Sequence, residues 1–193
     1  MRIFLAGASG VIGTRLVPLL VAHGHEVAGM TRSPGKCEAL RELGATTVLC
    51  DVFDEVALRD AVVGFRPELV MHQLTDLPDD EARIAALGSA NARMRRLGTA
   101  NLLAASGAAG ASRFLAQSVA WELTGESGAA KKELERMVLD SGGTVLRYGR
   151  FYGPGTYHED VPPAHPRIQI DEAARRSVDA LDAPPGVLEI VEP

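Results

Sequence analysis

The chain has 193 residues, of which 46% are hydrophobic and 23% charged, a composition typical of one globular domain with a sizeable core. Its net charge of −5 argues against nucleic-acid or anionic-membrane binding, and no apolar run has membrane-spanning length. A strand pattern begins directly after Met1, so we expect no signal peptide and a cytoplasmic protein. Cys37 and Cys50 lack metal-ligand or redox spacing, so we expect reduced thiols and no metal.

Strand and helix patterns alternate along the chain. Short apolar runs predict strands at residues 2–6, 25–30, 45–50, 68–71, 113–117, 144–147 and 187–191. Apolar residues at helical spacing predict helices at residues 11–23, 34–43, 55–64, 79–109, 129–140 and 171–181. Ser33 and Asp54 are the expected N-caps of the second and third helices, and the fourth helix has a candidate break near Gly88.

This alternation predicts right-handed crossovers and a single α/β domain over residues 1–193, with a doubly wound parallel sheet. The Rossmann strand order 3-2-1-4-5-6 is the leading topology. Residues 151–193 are rich in proline, so we expect mostly loop there, apart from one short helix and the last strand.

Three glycines at regular spacing separate the first strand from the first helix. Glycine permits positive φ and close backbone approach, so the peptide N–H groups that begin the helix can face a pyrophosphate, with the helix dipole behind them. The strand before the glycines and the helix after them are the context of a dinucleotide site. The predicted cofactor contacts in this turn are Gly7, Ser9, Gly10, Val11, Ile12 and Gly13.

The end of the second strand indicates which dinucleotide binds. In dinucleotide folds an acidic residue usually binds the adenosine ribose hydroxyls there, but this chain has Thr31, Arg32 and Ser33 at that place. Arg32 can hold a phosphate, and the two hydroxyls can donate to it. We therefore expect NADP(H) in preference to NAD(H), with Thr31 and Arg32 as cofactor contacts.

Further motifs occur in order over almost the whole chain. They are residues 7–13, 51–52, 70–75, 97–103, 113–118, 146–155 and 168–173. On these motifs the chain resembles the extended and atypical short-chain dehydrogenase/reductase superfamily, the group of NAD-dependent epimerase/dehydratase-like proteins. The resemblance implies that Asp51 and Val52 lie at the adenine. It also implies that His72, Gln73 and Leu74 lie along the cofactor, and that the Tyr-Gly-Pro-Gly loop flanks the nicotinamide.

The same resemblance implies a reaction centre built from a serine, a tyrosine and a lysine. Ser118 fits the hydroxyl that polarises the substrate oxygen, and Lys131 fits the lysine that holds the cofactor ribose. The tyrosine that serves these proteins as acid or base would lie four residues before the lysine, on the same helix face, where this chain has Ser127. A serine hydroxyl has too high a pKa to replace a phenol by position alone.

Other groups are candidates for the missing acid or base, although an ordinary structural role stays open for each. They are Tyr148, Tyr152, Tyr157, His72 and His158. Trp121, the only tryptophan, is either an apolar wall for a substrate or a core residue.

The chain also departs from the family in its substrate region. Only residues 156–167, which are rich in proline, stand where such proteins insert helices, so we expect a shallow and open pocket.

Three functions therefore remain open. The first is an NADP(H)-dependent oxidoreductase acting on a small carbonyl-type substrate. The second is an NADP(H)-binding regulator or scaffold without redox turnover, and the third is a non-redox isomerase, lyase or cyclase. The expected partner is a small molecule. A homodimer stays open: two helices pair in many relatives, but in this chain they carry charged residues, namely Arg93, Arg95, Arg96 and the run 131–136.

Overall fold

Seven parallel strands form the central sheet of the computed structural model, which describes residues 1–78, 80–84 and 88–193. The sheet order is β3-β2-β1-β4-β5-β6-β9. The nine strands of the described residues are β1 (Arg2–Ala6), β2 (Glu26–Thr31), β3 (Thr46–Leu49), β4 (Leu69–His72), β5 (Arg113–Val119), β6 (Thr144–Tyr148), β7 (Arg150–Tyr152), β8 (Arg167–Gln169) and β9 (Gly186–Ile190). The predicted Rossmann order is thus confirmed, and β9 extends it at the β6 edge.

Helices cover both faces of the sheet. They are α1 (Gly13–Ala22), α2 (Cys37–Glu42), α3 (Glu55–Phe65), α4 (Gly88–Arg93), α5 (Thr99–Ala108), α6 (Gly125–Asp140) and α7 (Ile170–Asp179). Successive side chains of β1 point to opposite faces, so Ile3 and Leu5 pack in the core of α1 and α7, while Phe4 packs in the core of α3, α5 and α6. Burial on both sides explains why the strands read as continuous apolar runs.

The predicted fourth helix is wrong in its first part. Glu81–Arg83 forms a single 3₁₀ turn, capped by Asp80, whose carboxylate accepts from the Ala82 N–H at 3.0 Å. The α-helix begins at Gly88, where the sequence indicated a break. Positions 79 and 85–87 of the predicted helix lie outside the described residues.

A π-helical turn, Met94–Gly98, joins α4 to α5. A Cβ on Gly98 would lie 2.8 Å from the Met94 sulfur, so only glycine fits this position without displacing that side chain. The turn brings Arg96 to α6, where it pairs with Glu126 at 3.2 Å and Glu133 at 2.9 Å. These charges are satisfied within the chain, and a homodimer stays a prediction.

The proline-rich segment contains one unpredicted feature, a two-stranded parallel sheet of β7 and β8 in which Arg150 is the register partner of Arg167. At three residues each, these strands are too short to produce an alternating pattern in the sequence. Gly149 permits their approach, because a Cβ there would lie 2.6 Å from the Arg167 carbonyl carbon. The small sheet turns the chain after β6 back toward the carboxyl ends of the main strands.

The two expected N-caps differ in the structure. The Asp54 carboxylate accepts from the Ala57 N–H at 3.0 Å, whereas Ser33 lies at the cap position before Pro34 without a side-chain bond to the helix. The Ser33 cap was therefore wrong for α2: Ser33 precedes a 3₁₀ turn, Pro34–Lys36, and the N-cap residue of α2 is Lys36.

Replacing Asp54 by alanine should lower the free energy of unfolding by about 1 kcal/mol, because the first turn of α3 loses a side-chain acceptor. Ser33→Ala is the matched control and should change it by less than about 0.5 kcal/mol. Urea unfolding of both variants measures the difference, and equal losses would show that the Asp54 cap contributes nothing.

Candidate functional site

The turn between β1 and α1 is packed so closely that its glycines have no room for side chains. Gly7 has a φ of +90°, and a Cβ there would lie 2.6 Å from the Gln73 carbonyl oxygen. A Cβ on Gly13 would lie 2.2 Å from the Gly7 carbonyl oxygen. Gly10 is exposed and leaves the backbone uncovered at the start of α1. This arrangement fits a dinucleotide cradle, in which a pyrophosphate must approach backbone N–H groups.

The end of β2 contributes hydroxyls and a cation beside this turn. The hydroxyls of Ser9 and Thr31 are 2.8 Å apart, and the Ser33 N–H donates to Thr31 Oγ1 at 3.2 Å. Lys36, which the sequence analysis did not single out, donates from Nζ to the Ser9 carbonyl at 3.4 Å. The structure therefore brings Ser9 and Thr31 together and adds a second cation, Lys36, to that of Arg32.

Arg32 is paired with an acid that lies far away in the sequence. Its guanidinium donates to Asp76, in the loop after β4, at 2.8 Å, and its side chain is 59% exposed. The end of β2 itself has no acidic residue, but the carboxylate of Asp76 lies beside Arg32 there. A phosphate bound by Arg32 would have to replace this partner.

Asp51 borders a shallow depression at the end of β3, whereas its neighbour Val52 is buried in the core. The Asp51 carboxylate accepts from the Phe53 N–H at 3.0 Å, and the Arg93 guanidinium stacks on the Phe53 ring at 3.7 Å from its centre. The depression has a volume of about 540 Å³ and is lined by Asp51, Phe53, Asp54, Glu55 and Val56. It lies where the family resemblance implies the adenine.

His72 is fully buried at the end of β4 and has both ring nitrogens engaged. Nδ1 accepts from the Leu74 N–H at 3.2 Å, so the proton is on Nε2, which donates to Thr99 at 2.9 Å. Burial lowers the pKa of His72 to about 4. A neutral imidazole with both nitrogens occupied is a poor candidate for the missing acid or base.

Tyr148 is also buried in the core, with its hydroxyl hydrogen-bonded to two side chains. Ser177 donates to the Ala173 carbonyl at 2.6 Å, so the Tyr148 hydroxyl donates to Ser177 at 2.7 Å and accepts from Gln73 Nε2 at 3.2 Å. Burial raises the pKa of Tyr148 to about 12. This phenol is therefore no substitute for the family's tyrosine, and the Gln73 side chain supports the core behind the cofactor segment.

Ser118 takes part in a buried charged network. Its hydroxyl donates to Glu135 Oε1 at 2.6 Å, and Arg147 binds both carboxylate oxygens at 3.0 and 2.7 Å. Burial of Glu135 opposes its ionisation, but the hydrogen bonds from Arg147 and Ser118 outweigh that effect and hold its pKa below the usual range. The single Ser118 proton is thus directed toward Glu135.

Lys131 is buried one helical turn from Glu135. Its Nζ donates to the Trp121 carbonyl at 3.0 Å. The short segment before α6 lies tightly on the helix, because a Cβ on Gly128 would be 2.1 Å from the Leu123 carbonyl oxygen. Ser118 and Lys131 therefore belong to one region at the carboxyl end of β5, as the sequence indicated.

Two arginines contact the segment that contains Trp121 and Ser127. Arg95, on the π-helical turn, donates to the Ser127 carbonyl at 3.5 Å. On the other side of Lys131, the Arg150 guanidinium stacks on Trp121 at 4.6 Å from the ring centre. Neither arginine was assigned to the site from the sequence, because each depends on a long-range contact.

The remaining aromatic and histidine candidates have partners elsewhere. Tyr152 donates to Glu192, Tyr157 to the Pro78 carbonyl, and His158 lies 3.5 Å from the Glu81 carboxylate. The Tyr-Gly-Pro-Gly loop lies beside α1, where Arg15 donates to the Pro154 carbonyl.

A family model described as "NAD dependent epimerase/dehydratase family" matches residues 3–135, which is more than half of the chain. The chain belongs to the NAD-dependent epimerase/dehydratase family. The resemblance inferred from its motifs is thereby confirmed, and with it the fold of a nicotinamide-dinucleotide-dependent enzyme.

Curated relatives of this epimerase/dehydratase chain include a reductase. The 3-diazoavenalumate denitrifying reductase of a Streptomyces species is 40% identical over 184 residues, which cover 81% of this chain and 58% of the relative. A decarboxylating sterol-4-alpha-carboxylate 3-dehydrogenase of Dictyostelium discoideum is 29% identical over 86 residues, 45% of this chain and 26% of the relative. The chain thus spans less than two thirds of the length of either relative.

Solved structures share the family fold at low sequence identity. The UDP-glucose 4-epimerase of Thermus thermophilus in complex with NAD has a TM-score of 0.82 at 19% identity, covering 99% of this chain and 78% of its own. The UDP-glucose 4-epimerase of Thermotoga maritima with UDP-glucose has a TM-score of 0.82 at 22% identity, covering 99% and 77%. At these identities the likeness establishes the fold alone.

In the part of the chain that the structure describes, no helix is both long and apolar enough to cross a membrane. Nor do three or more His, Cys, Asp or Glu side chains lie together there as metal ligands.

Lowering the pH from about 7 to about 5 should reduce the free energy of unfolding through His72 by about 2 kcal/mol. The unfolded imidazole takes up a proton below 6.5, whereas the folded one does so only below about 4, so stability falls as the pH drops through this window. Urea unfolding at both pH values measures the change, and His72→Asn should show a flatter dependence. An equally steep dependence in that variant would assign the effect to other groups.

Proposed function

We propose that the protein is an NADP(H)-dependent oxidoreductase of the atypical short-chain dehydrogenase/reductase type that acts on a small carbonyl-type substrate. The observation that carries the proposal is the glycine turn, whose packing excludes side chains at Gly7 and Gly13 and leaves Gly10 open to a ligand. The name of the Streptomyces relative, a reductase, supports redox chemistry over the other activities of this family.

The proposed preference for NADP(H) rests on the charges at the end of β2. Arg32 and Lys36 offer two cations to a 2′-phosphate, with the hydroxyls of Ser9 and Thr31 between them. NAD(H) lacks the 2′-phosphate that would pair with these cations. A phosphate that binds Arg32 would displace the Asp76 carboxylate into solvent, where that carboxylate is readily hydrated.

The proposed cofactor contacts follow the same surface. The pyrophosphate would be held at Gly10, Val11 and Ile12, the adenine at Asp51 and Val52, and the nicotinamide end beside Leu74, whose carbonyl accepts from Gln117 at 2.7 Å. When bound, the reduced nicotinamide supplies a hydride, and the protein's part is to orient the acceptor and stabilise the charge on its oxygen.

Lys131 is the proposed donor to that oxygen. Its ammonium has three N–H donors, and the Trp121 carbonyl accepts from one of them. Ser118, the hydroxyl assigned to this role from the sequence, directs its proton to Glu135 and would have to rotate to donate to a substrate. We therefore propose that Ser118 and Glu135 position this end of the site, while Lys131 interacts with the reacting oxygen.

A regulator that binds NADP(H) without turnover is the second candidate. It is favoured by one observation, that the buried phenol and imidazole nearest the site, Tyr148 and His72, are both held in structural hydrogen bonds. With Ser127 at the tyrosine position, proton delivery to a product alkoxide then depends on Lys131 or on water. Such a regulator would bind the cofactor equally well.

Replacing Arg32 by alanine should weaken NADPH binding about tenfold or more while leaving NADH binding unchanged, because only the 2′-phosphate uses the guanidinium. Titration calorimetry with both dinucleotides measures the two affinities. Arg41→Ala, which removes another exposed and ion-paired arginine, is the matched control and should bind both as the wild type does. Equal affinities of the wild type for NADPH and NADH would end the proposed preference.

The roles of Lys131 and Ser118 can be separated by their variants. Lys131→Met should lower the rate of NADPH oxidation with a carbonyl substrate about a hundredfold or more, since a donor to the developing oxyanion is lost. Ser118→Ala should cost less than about tenfold, and Lys132→Met, an exposed neighbour on α6, should have no effect. If Ser118 were the donor, Ser118→Ala would lower the rate more than Lys131→Met.

The assay also decides between enzyme and regulator. A panel of carbonyl and imine compounds is incubated with wild-type protein and NADPH, and the absorbance of the reduced nicotinamide is followed. Tight NADPH binding with no consumption by any compound would favour the regulator, and failure to bind either dinucleotide would refute both proposals.

A further inference from the structure

The reaction centre holds three cationic side chains for which no direct ion pair is formed within the described residues, although Glu135 attracts two of them, Lys131 and Arg95. Lys131 donates to the Trp121 carbonyl, Arg95 to the Ser127 carbonyl, and Arg150 stacks on the Trp121 ring. None of the three forms an ion pair within the described part of the chain. We call Arg95, Lys131, Trp121 and Arg150 the cationic cluster, because the three cations contact residues 121 and 127 of one short segment, in a protein whose net charge is −5.

The carboxylates nearby compensate this cluster only in part. Glu135 attracts Lys131 and Arg95, but its oxygens also accept from Ser118 and from two donors of Arg147, so one carboxylate serves three cations. Glu122, the residue after Trp121, is exposed and forms no ion pair in the described structure. An excess of positive charge therefore remains at the carboxyl ends of β5 and β6.

The burial of Lys131 and the partial burial of Arg95 and Arg150 make an additional anion favourable here. Lys131 is only 6% exposed. Burial lowers the pKa of Arg95, and the attraction of Glu135 offsets this only in part. Desolvating a cation without a counter-charge is unfavourable, so the cluster gains free energy from any anion that enters it.

Arg150 has the geometry to bind such an anion through the edge of its guanidinium. A guanidinium that lies flat on an aromatic ring keeps its N–H donors in its own plane, available for a bidentate pair with a carboxylate. The backbone of Arg150 is fixed by the β7–β8 pairing and donates to the Pro166 carbonyl at 2.9 Å. Trp121 supplies an aromatic surface beside this edge.

We propose that the cationic cluster of Arg95, Lys131, Trp121 and Arg150 recognises the carboxylate of a small, planar organic acid. This inference rests on the proposed oxidoreductase function and names its substrate class. A carboxylate matches a single stacked guanidinium edge, whereas a nucleoside diphosphate brings two phosphates and needs a larger surface than residues 156–167 can form in place of a substrate region. The arginines would bind and orient the acid, and Lys131 would face the reacting end of the same molecule.

The test uses benzoate as a carboxylate probe, benzamide as its uncharged analogue and UDP as a phosphate probe. Each is titrated into the 193-residue chain with NADP⁺ bound, by calorimetry and by the fluorescence of Trp121, the only tryptophan in the chain. We expect benzoate to bind and to change the fluorescence, benzamide to bind at least about tenfold more weakly, and UDP to bind no better than benzamide.

Arg150→Gln should weaken benzoate binding about tenfold or more, because it removes the bidentate charge-assisted pair. Arg150→Lys keeps the charge and loses the planar guanidinium, so its affinity for benzoate should lie between that of Arg150→Gln and that of the wild type. Arg59→Gln removes an exposed arginine on α3, remote in sequence from the cluster, and should change nothing. Thermal unfolding of each variant confirms that it is folded.

Several outcomes would overturn the inference. Equal binding of benzoate and benzamide, or benzoate binding that is unaffected in Arg150→Gln, would show that the cluster does not recognise a carboxylate. Tighter binding of UDP than of benzoate with the same dependence on Arg150 would assign the cluster to phosphates. NADPH affinity is measured on the same proteins, so failure of the dinucleotide site is distinguished from failure of the carboxylate site.

Discussion

The structure depends on a backbone contact between the glycine turn and the end of β4. The Gln73 N–H donates to the Ala6 carbonyl at 2.8 Å, and the Gly7 backbone lies directly against the Gln73 carbonyl. Gly13 then packs on the Gly7 carbonyl, which fixes the start of α1 relative to β1. Any side chain at Gly7 or Gly13 would separate these elements, so the geometry that permits close approach of a phosphate also holds the two central strands in register.

A second constraint links the other half of the sheet. Glu135 joins α6 to β5 through Ser118 and to β6 through Arg147, and all three side chains are fully or largely withdrawn from solvent. Removing one partner of such a pair is strongly unfavourable because the remaining charge stays buried. The network therefore makes a rigid floor for the site, while the cations on its open side, Lys131 and Arg150, have no ion-pair partner among the described residues. The ion-paired Glu135 and Lys131, which forms no ion pair there, thus lie one helical turn apart on α6.

The fold was predictable because its determinants are local. Apolar runs marked the six Rossmann strands and the last strand, and the Asp54 cap followed from residues three positions apart. The expected helix from residue 79 is replaced at Glu81–Arg83 by a single 3₁₀ turn, which apolar spacing and an N-cap residue do not distinguish from the start of an α-helix. Strands β7 and β8 were missed because each contributes only three residues, and their pairing depends on Gly149 allowing two backbones to meet.

The site was less predictable because its chemistry depends on pairs that are distant in sequence. The sequence predicts that Arg32 binds a phosphate, but its partner Asp76 is 44 positions away. Ser118 was expected to donate to a substrate, and the carboxylate that receives its proton is 17 positions away on α6. Residue types at local spacing indicate which groups are present, whereas donor and acceptor roles are decided only when the fold brings the partners together.

The replacement of the family's tyrosine by Ser127 changes what the site can do. A tyrosine there would place a titratable phenol beside Lys131, and catalysis would centre on proton transfer. In this chain the guanidinium of Arg95 reaches the Ser127 carbonyl instead, and the nearest buried phenol, Tyr148, has its proton committed to Ser177. A site with these cations and no tyrosine at position 127 would favour a charged ligand. An anionic substrate would neutralise the cluster as it binds, so recognition and stabilisation of the reacting oxygen would use the same positive field.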